Sequence, residues 1–469
     1  MIHLNSADLK RFYALARLFL TGVPRRTWPP VAVAANEAGL TYALPTAAGV
    51  LEYHVACPQS PASLALPWAC WAPLLAGKST QMRVAAEGES TIVGQWQEGA
   101  IPRQARWEVV GGGRGLPVPR AQPLAWRDID GQFIADLQAC CDVTDRESQR
   151  YALGCVQFER PGRLAASDGR QILTYSGWDV GVTESKLLPA HPVLSSKEWT
   201  TARTLQVATT NEEFALRAGP WTVMLRWQVE GRFPRIDDIL ADAGAASTHL
   251  ELDAADREFL AKNLSRLPVR NDAGSQAITV ELNGRVAIRG SDGQSPPTEL
   301  VLRRSRRVGP EVRFATDRRY LSRAIRLGFT RLEIADDVRP VGCRDARRQY
   351  VWALLSPEAR EESHEATLVI ESEPATPTEG EQEVAMSNRV ATLGVAATSK
   401  TAAKESETPK SEINAASPSP LTCGLELRRL ARELVQQAQQ LVRQVRSQER
   451  VQRQSRRRLR TPRRKASLV

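Results

Sequence analysis

The chain has 469 residues, 42% of them apolar and 25% charged, with a formal net charge of +10. That length supports several buried cores of ordinary domain size, about 100–150 residues each. No run of eighteen apolar residues occurs, so no membrane-spanning helix is expected. The seven cysteines (Cys57, Cys70, Cys140, Cys141, Cys155, Cys343, Cys423) contain no Cys-x-x-Cys pair, and the five histidines lie far apart. Neither a zinc site, another metal, a cofactor nor a disulfide framework is therefore expected, and the thiols read as buried or neutral. Charge is uneven: residues 358–420 hold 12 acidic against 5 basic residues and residues 421–469 hold 3 against 14, which leaves +6 on residues 1–357. A basic body with a strongly basic tail points to a polyanionic partner.

In chain order, Ser6 is placed to cap a helix whose apolar residues Leu9, Phe12, Tyr13, Ala16, Phe19 and Leu20 recur at three- and four-residue intervals. Lys10, Arg11 and Arg17 fall largely on its other side. Arg17 interrupts the apolar stretch and no small-residue cleavage site follows, so it does not read as a signal peptide, and a cytoplasmic protein is expected. Gly22 and Pro24 end the helix, and Arg25 and Arg26 follow in an exposed turn. Strands are expected over 31–35, 39–44 and 50–56, then a short helix around 67–75, then strands to 110. The run Gly111-Gly112-Gly113-Arg114-Gly115 lacks the Lys-Ser/Thr ending of a P-loop and the spacing of a dinucleotide turn, and Pro117, Pro119 and Pro123 follow where a helix should begin. Residues 111–123 read as a flexible linker.

A second unit, 124–242, opens with a helix from about 130 that carries Phe133, Ile134, Leu137, Cys140 and Cys141 on one face, and Asp136 but no lysine or arginine. It leads to residues 150–177, RYALGCVQFERPGRLAASDGRQILTYSG, a β-hairpin ending in the tight turn Ser167-Asp168-Gly169. A stub of helix over 196–201 and strands over 205–208, 213–218 and 223–229 complete it. In the third unit, 246–357, a helix around 254–267 precedes a strand-like run to Ser291-Asp292-Gly293, 124 residues after the first Ser-Asp-Gly. A second helix over 317–327 puts Leu321, Ala324 and Ile325 inward and Arg318, Arg319, Arg323 and Arg326 largely outward, and strands over 331–335 and 349–355 close the unit. A weaker copy of the hairpin phrase at 31–43 lies one period earlier. The chain therefore reads as an α+β protein with a triplicated helix, strands, helix, strands unit over 1–110, 124–242 and 246–357.

Residues 358–420, rich in Glu, Thr, Ser, Ala and Pro, are expected to be disordered. Over 421–469, Leu427, Ala431, Leu434, Ala438, Leu441 and Val445 form a helical seam of under three heptads, and an arginine-rich run follows. This basic helical tail is expected to order on a partner and to touch nucleic acid non-specifically.

Several ordered pieces over residues 1–357 resemble the bacterial sliding clamp family, the β subunit of DNA polymerase III. Arg150-Tyr151-Ala152-Leu153, Phe158-Glu159 and Leu164 to Arg170 are similar to its Arg-Tyr-x-Leu, Phe-Glu and Ala-Thr-Asp-Gly-His-Arg-Leu pieces, in order. Gly231-Arg232-Phe233-Pro234 with Ile239-Leu240, Tyr320-Leu321 and Tyr350-Val351 match later pieces. The resemblance implies a homodimeric ring around double-stranded DNA, with helices lining the hole, sheets outside and no catalysis of its own. It would be a nucleoid-associated processivity factor, loaded by an ATP-driven clamp loader. Lys10, Arg11, Arg17, Arg25, Arg26, Arg150 and Tyr151 are the DNA-contacting residues it implies; Asp136 would weaken the second unit's share of the field. The polymerase catalytic subunit, clamp loader and other partners would dock short linear motifs in a pocket at Leu153, Ser167, Gly169, Arg170, Ile172, Pro234, Ile239, Val351, Leu354 and Leu355. Arg170 and Gln171 stand where the family has His and Arg, and Ala353-Leu354-Leu355 where it has Met-Pro-Met. A clamp-fold DNA-binding scaffold without ring closure or family-type docking is the alternative. A hydrolase built on Ser167 and His191 is not expected, because Ser167 lacks a Gly-x-Ser-x-Gly elbow.

Overall fold

The computed structural model describes residues 1–109, 124–148, 152–244, 246–272 and 274–373. The strand Ile2–Asn5 runs directly into the helix Ser6–Phe19, so the last extended residue, Asn5, supplies the cap: its side-chain oxygen accepts from the Ala7 amide at 2.7 Å. Ser6, the expected cap, is instead the first helical residue, and its buried hydroxyl donates to the Leu74 carbonyl at 3.0 Å. Leu9, Phe12, Leu15, Ala16 and Phe19 are buried, while Lys10, Arg11 and Arg17 are exposed. Tyr13 is half-buried against Trp28 and Trp68.

The described strands form four sheets. The first has the order Ile2–Asn5, Gln81–Glu87, Thr91–Glu98, Ile101–Glu108. The second runs Ala62–Leu66, Val31–Asn36, Gly39–Thr46, Gly49–Val55, Trp221–Arg226, Glu213–Ala218, Leu205–Thr209, Arg127–Ile129. The third runs Lys186–Pro189, Cys155–Glu159, Arg163–Ser167, Gln171–Tyr175, Arg348–Trp352, Val341–Arg344, Arg331–Ile334, Thr248–Glu251, Arg306–Val308. The fourth runs Asn271–Asp272, Ser275–Asn283, Arg285–Gly290, Thr298–Leu302, Leu368–Glu371, with Val312–Asp317 also paired to Ser275–Asn283.

Two antiparallel seams join stretches far apart in sequence. In one, Leu51 lies opposite Val223; in the other, Ile172 lies opposite Val351. Gly49 opens the first seam with φ +147°, and a Cβ there would sit 1.9 Å from the Met224 carbonyl oxygen, so only glycine lets the strands close. Tyr53 then stacks on Trp221 across it, ring centroids 4.2 Å apart. Helices pack in pairs: Ser6–Phe19 with Ala72–Leu75, Gln132–Cys141 with Lys197–Thr200, and Ala254–Asn263 with Arg318–Arg326. Their apolar stripes meet the inner faces of the sheets in a main core that includes Phe12, Tyr42, Trp71, Phe133, Phe158, Phe214, Tyr350 and Trp352. Five cysteines are buried in the structure, and burial pushes the thiols up, Cys70 and Cys141 to about 12 and Cys155 to about 11.

Composition predicts disorder over 358–420, and for residues 358–373 the structure overturns this. Pro357–Ala359 makes one helical turn and Leu368–Glu371 pairs in parallel with Thr298–Leu302. Composition weighs what a segment can bury by itself; it does not register hydrogen bonds offered by an open sheet edge elsewhere in the chain. The linker over 111–123 and the acidic and basic segments beyond residue 373 lie outside the described residues.

Where the first helix meets the Pro192–Ser195 turn, His191 accepts the Val193 amide on Nδ1 at 3.2 Å, and its ring centroid lies 5.2 Å from that of Phe19. Burial, helped by nearby Arg146, depresses its pKa from 6.5 to about 4. The unfolded chain then binds a proton that the folded chain does not, so stability is fully present above pH 6.5 and falls as pH drops from 6.5 towards 4. The loss from this one group is at most about 3 kcal/mol. His191→Asn keeps an acceptor for the Val193 amide and is expected to flatten that part of the pH dependence of the urea midpoint. An unchanged slope would assign the acid sensitivity to other groups.

Candidate functional site: an apolar cavity and a basic helix face

Ser167 ends the strand Arg163–Ser167 and shapes the turn that follows. Its hydroxyl accepts the Gly169 amide at 3.0 Å, and Asp168 Oδ1 accepts the amides of Arg170 and Gln171 at 2.8 and 3.0 Å. Gly169 has φ +87°, a conformation that favours glycine. Ser291-Asp292-Gly293 builds the same turn, with the Gly293 amide on Ser291 Oγ at 3.1 Å and the amides of Gln294 and Ser295 on Asp292.

Beside the first of these turns lies a cavity of about 570 Å³. Side chains alternate across a strand, so Leu173, Tyr350 and Trp352 enter the main core while Ile172 and Val351 face the other side. There they join Ala165, Phe233, Ile236, Leu240 and Ala243, the last two on the helix Asp237–Ala243. Leu153, Phe233, Pro234, Ile236, Ile239 and Pro340 give the cavity its apolar wall, and the exposed Arg170, Arg232 and Arg235 also line it. None of these three arginines forms an ion pair with another described residue. Gly231, at φ +99°, brings its segment against Ala152, whose amide donates to the Arg232 carbonyl at 3.2 Å.

Of the pocket residues expected from the sequence, Leu153, Ser167, Gly169, Arg170, Ile172, Pro234, Ile239 and Val351 line this cavity together. Leu354 and Leu355 do not. The strand ends at Trp352 and the chain leaves the sheet: the Ala353 amide bonds the Arg170 carbonyl at 2.8 Å and the Leu355 amide the Ala315 carbonyl at 2.9 Å. Leu354 packs on the main core instead, and Trp352 and Ala353 take its expected place. Gln171, read from the sequence with Arg170 as part of the pocket floor, lines the cavity too, while sequence reasoning missed Arg232, Phe233, Arg235, Ile236 and Pro340. The Gly-Arg-Phe-Pro piece was a signal for two of them; Pro340 carries none.

Gln171 is more than a lining residue. It is buried; its Nε2 donates to Asp168 Oδ2 at 2.6 Å, and its Oε1 accepts the Tyr350 hydroxyl at 2.7 Å and the Arg323 guanidinium. Burial pushes the Tyr350 phenol well above its ordinary pKa, against the opposing pull of Arg323, so it stays protonated as a donor. Arg323, expected to face outward, is half-buried and also donates to the Asp142 carbonyl at 2.9 Å. Arg318 likewise turns in, to the carbonyls of Ser265 and Leu267, and Arg319 pairs with Asp317.

The other candidate surface is the outward face of the first helix and the turn after it. Lys10, Arg11, Arg17, Arg25 and Arg26 are all exposed, and none forms an ion pair with another described residue. The Arg17 guanidinium lies 6.0 Å from the Tyr13 ring and that of Arg25 lies 5.7 Å from Trp28, which orients both without neutralising them. Arg150 and Tyr151 lie outside the described residues. Asp136, expected to weaken the second unit's share of the field, is buried: it accepts from Gln132 Nε2 and Trp178 Nε1, each at 2.9 Å, and the Arg347 guanidinium lies 3.8 Å away. Among the described residues, no group of three or more His, Cys, Asp or Glu side chains is arranged to hold a metal.

No protein-family profile and no curated protein matches the sequence. Solved structures do. The β subunit of DNA polymerase from Streptococcus pyogenes superposes with a TM-score of 0.61 at 12% identity, over 75% of this chain and 99% of that one. The DNA polymerase sliding clamp from Bacillus subtilis gives 0.61 at 10% identity, over 76% and 98%. The DNA polymerase III subunit beta from Pseudomonas aeruginosa gives 0.61 at 14% identity, over 76% and 99%. At such identities the likeness establishes the fold.

Replacing Gln171 with Leu would leave the Tyr350 hydroxyl buried without an acceptor. Gln171→Leu is expected to cost about 1–3 kcal/mol in urea unfolding, and adding Tyr350→Phe to recover part of it. A neutral single variant would show that the network does not brace the seam.

Proposed function

With the sliding-clamp fold as premise, we propose that this protein is a DNA sliding clamp, three repeats to a chain and two chains to a ring, that encircles duplex DNA and tethers a DNA polymerase. The repeat reading rests on a recurring order of strand, helix, four strands, helix, three strands over residues 2–108, 127–226 and 248–352, with Asn271–Asp272 and Arg306–Val308 as small additions to the third. The observation that carries the proposal is the pair of seams. In each, the third of one unit's four strands (Gly49–Val55, Gln171–Tyr175) pairs with the last strand of the next unit (Trp221–Arg226, Arg348–Trp352). The same rule leaves Thr298–Leu302 and Ile101–Glu108 as the edges through which two chains join head to tail.

A ring holds DNA topologically, so its lining needs a diffuse positive field and no base readout, which leaves sliding free. Lys10, Arg11, Arg17, Arg25 and Arg26 supply such a field on the helix side. The cavity at the second seam suits a short linear motif with leucine or phenylalanine anchors, and its arginines suit flanking acidic residues. Polymerase catalytic subunit, clamp loader and repair proteins would dock there, in a cytoplasmic protein associated with the nucleoid and without catalysis of its own. The alternative, a clamp-fold scaffold that binds DNA without closing, is favoured by one observation: Thr298–Leu302 already carries the strand Leu368–Glu371.

The clamp reading predicts that the dimeric form of the protein is retained on nicked circular duplex DNA through gel filtration and released when that DNA is linearised. Equal loss from circular and linear DNA would sink it. Charge reversal at Arg11 and Arg17 should lower occupancy at moderate salt about tenfold. For the cavity, Ile239→Asp, at a position 40% exposed, is expected to weaken a leucine- and phenylalanine-bearing peptide at least about 30-fold in fluorescence polarisation. Equal affinity for both proteins would remove the docking assignment.

A further inference from the structure

We propose that the strand Leu368–Glu371 is a removable cap on the edge where a second copy of this chain docks, so that the chain stays single until residues 361–373 lift away. The inference rests on the repeat reading above, which makes Thr298–Leu302 the equivalent of Gly49–Val55 and Gln171–Tyr175. Those two strands each receive the last strand of another unit in antiparallel pairing. Thr298–Leu302 receives instead a segment from beyond the third unit, in parallel, with Glu299 beside Val369 and Val301 beside Glu371. Among the described strands it is the one parallel pair.

The segment is fastened at both ends. At the start, the Glu361 amide donates to Thr279 Oγ1 at 2.7 Å, and its carbonyl accepts Arg289 and Arg313 at 2.8 and 2.7 Å. At the finish, Ser372 is buried; its amide reaches the Val301 carbonyl at 2.9 Å and its hydroxyl reaches Asp256 Oδ1 at 2.5 Å. Asp256 is itself buried, and its other oxygen takes the amides of Arg304 and Ser305 at 3.0 and 2.6 Å. Between the fastenings the strand is held by its edge hydrogen bonds and an exposed Arg303–Glu371 ion pair at 3.1 Å, and buries little apolar surface. Leu368, Val369 and Ile370 remain 58, 50 and 46% exposed, whereas Trp221 to Leu225, the equivalent strand of the first seam, are buried. Edge hydrogen bonds retain the middle of the cap, and any strand that offers the same bonds can compete for them.

The competitor is the strand Ile101–Glu108 of a second copy. It holds the place in the first unit that Trp221–Arg226 and Arg348–Trp352 hold in the other two, and it ends its sheet with one side unpaired among the described strands. The Val109 amide donates to the Ser90 carbonyl at 2.7 Å, so by alternation the amides of 103, 105 and 107 face the neighbouring strand. Those of Gln104, Arg106 and Glu108 then face outward. With eight residues against four, this strand can cover the whole of Thr298–Leu302.

The test is sedimentation of the full chain at micromolar concentration. The Leu368 amide donates to the Pro297 carbonyl at 2.8 Å, and Ile370, two residues on, faces the same edge. The native chain is expected to sediment as a single copy. Leu368→Pro/Ile370→Pro is expected to double the mass, and adding Gln104→Pro to return it to one copy. A peptide of residues 361–373 in excess should halve the mass of the released form without any further substitution. A native chain already at twice the mass, a released variant that stays single with an unchanged circular dichroism spectrum, or a dimer indifferent to Gln104→Pro would each overturn the cap. Retention on nicked circular DNA separates this from the clamp reading: a released dimer that forms but is not retained upholds the cap and removes the clamp.

Discussion

Main-chain pairing at sheet edges is the interaction on which the rest of this structure depends. A strand at an edge presents a row of unsatisfied donors and acceptors that must be paired, covered or left to water. Here two edges are paired in antiparallel seams within the chain, Gly49–Val55 with Trp221–Arg226 and Gln171–Tyr175 with Arg348–Trp352, and a third, Thr298–Leu302, is covered in parallel by Leu368–Glu371. Continuous sheets of eight and nine strands follow. Each seam leaves an outer face that the connecting segments treat differently. At the first, Val50, Leu124 and Trp126 pack against Ala208, Ala215 and Met224. At the second, the segment 231–243 arches over Ile172 and Val351 and encloses the cavity. The cavity is thus a consequence of how one seam is covered.

The same frame sorts the arginines. Arg289 is buried between Glu281 and Glu299, at 2.8 Å and 2.5 Å, and Arg344 pairs with Glu333 at 2.7 Å. Arg318 and Arg323 spend their donors on carbonyls and Gln171. The carboxylates beside Arg289 and Arg344 cancel most of their field at a distance, whereas Arg318 and Arg323, bonded to neutral acceptors, keep their charge but are held against the fold. Lys10, Arg11, Arg17, Arg25 and Arg26 remain exposed. Net charge therefore overstates what a polyanion would meet on some surfaces and describes it fairly on this one.

Much of the candidate site was legible because its parts are local. Ser167-Asp168-Gly169 makes its turn from its own side chains and one positive φ, and Gly231 to Pro234 is a contiguous phrase. The misreadings all concern partners distant in sequence. Gln171 is anchored by Tyr350 and Arg323, Asp136 by Trp178, and the turn away from the sheet after Trp352 by Arg170 and Ala315. Periodicity put Arg323 outward correctly as a helix position, but could not know that a carboxamide and a carbonyl wait beside it.

By itself, the sequence determined the main helices, the Ser-Asp-Gly turns and the α+β class, since spacing and glycine conformations act within a few residues. Only the tertiary structure decided which edges meet, that the sheet opposite the main core opens into a cavity, and that residues 358–373 are ordered. The reason is physical: a backbone edge has the same donors and acceptors whatever its side chains, so its partner is settled by which strand the folded chain brings alongside.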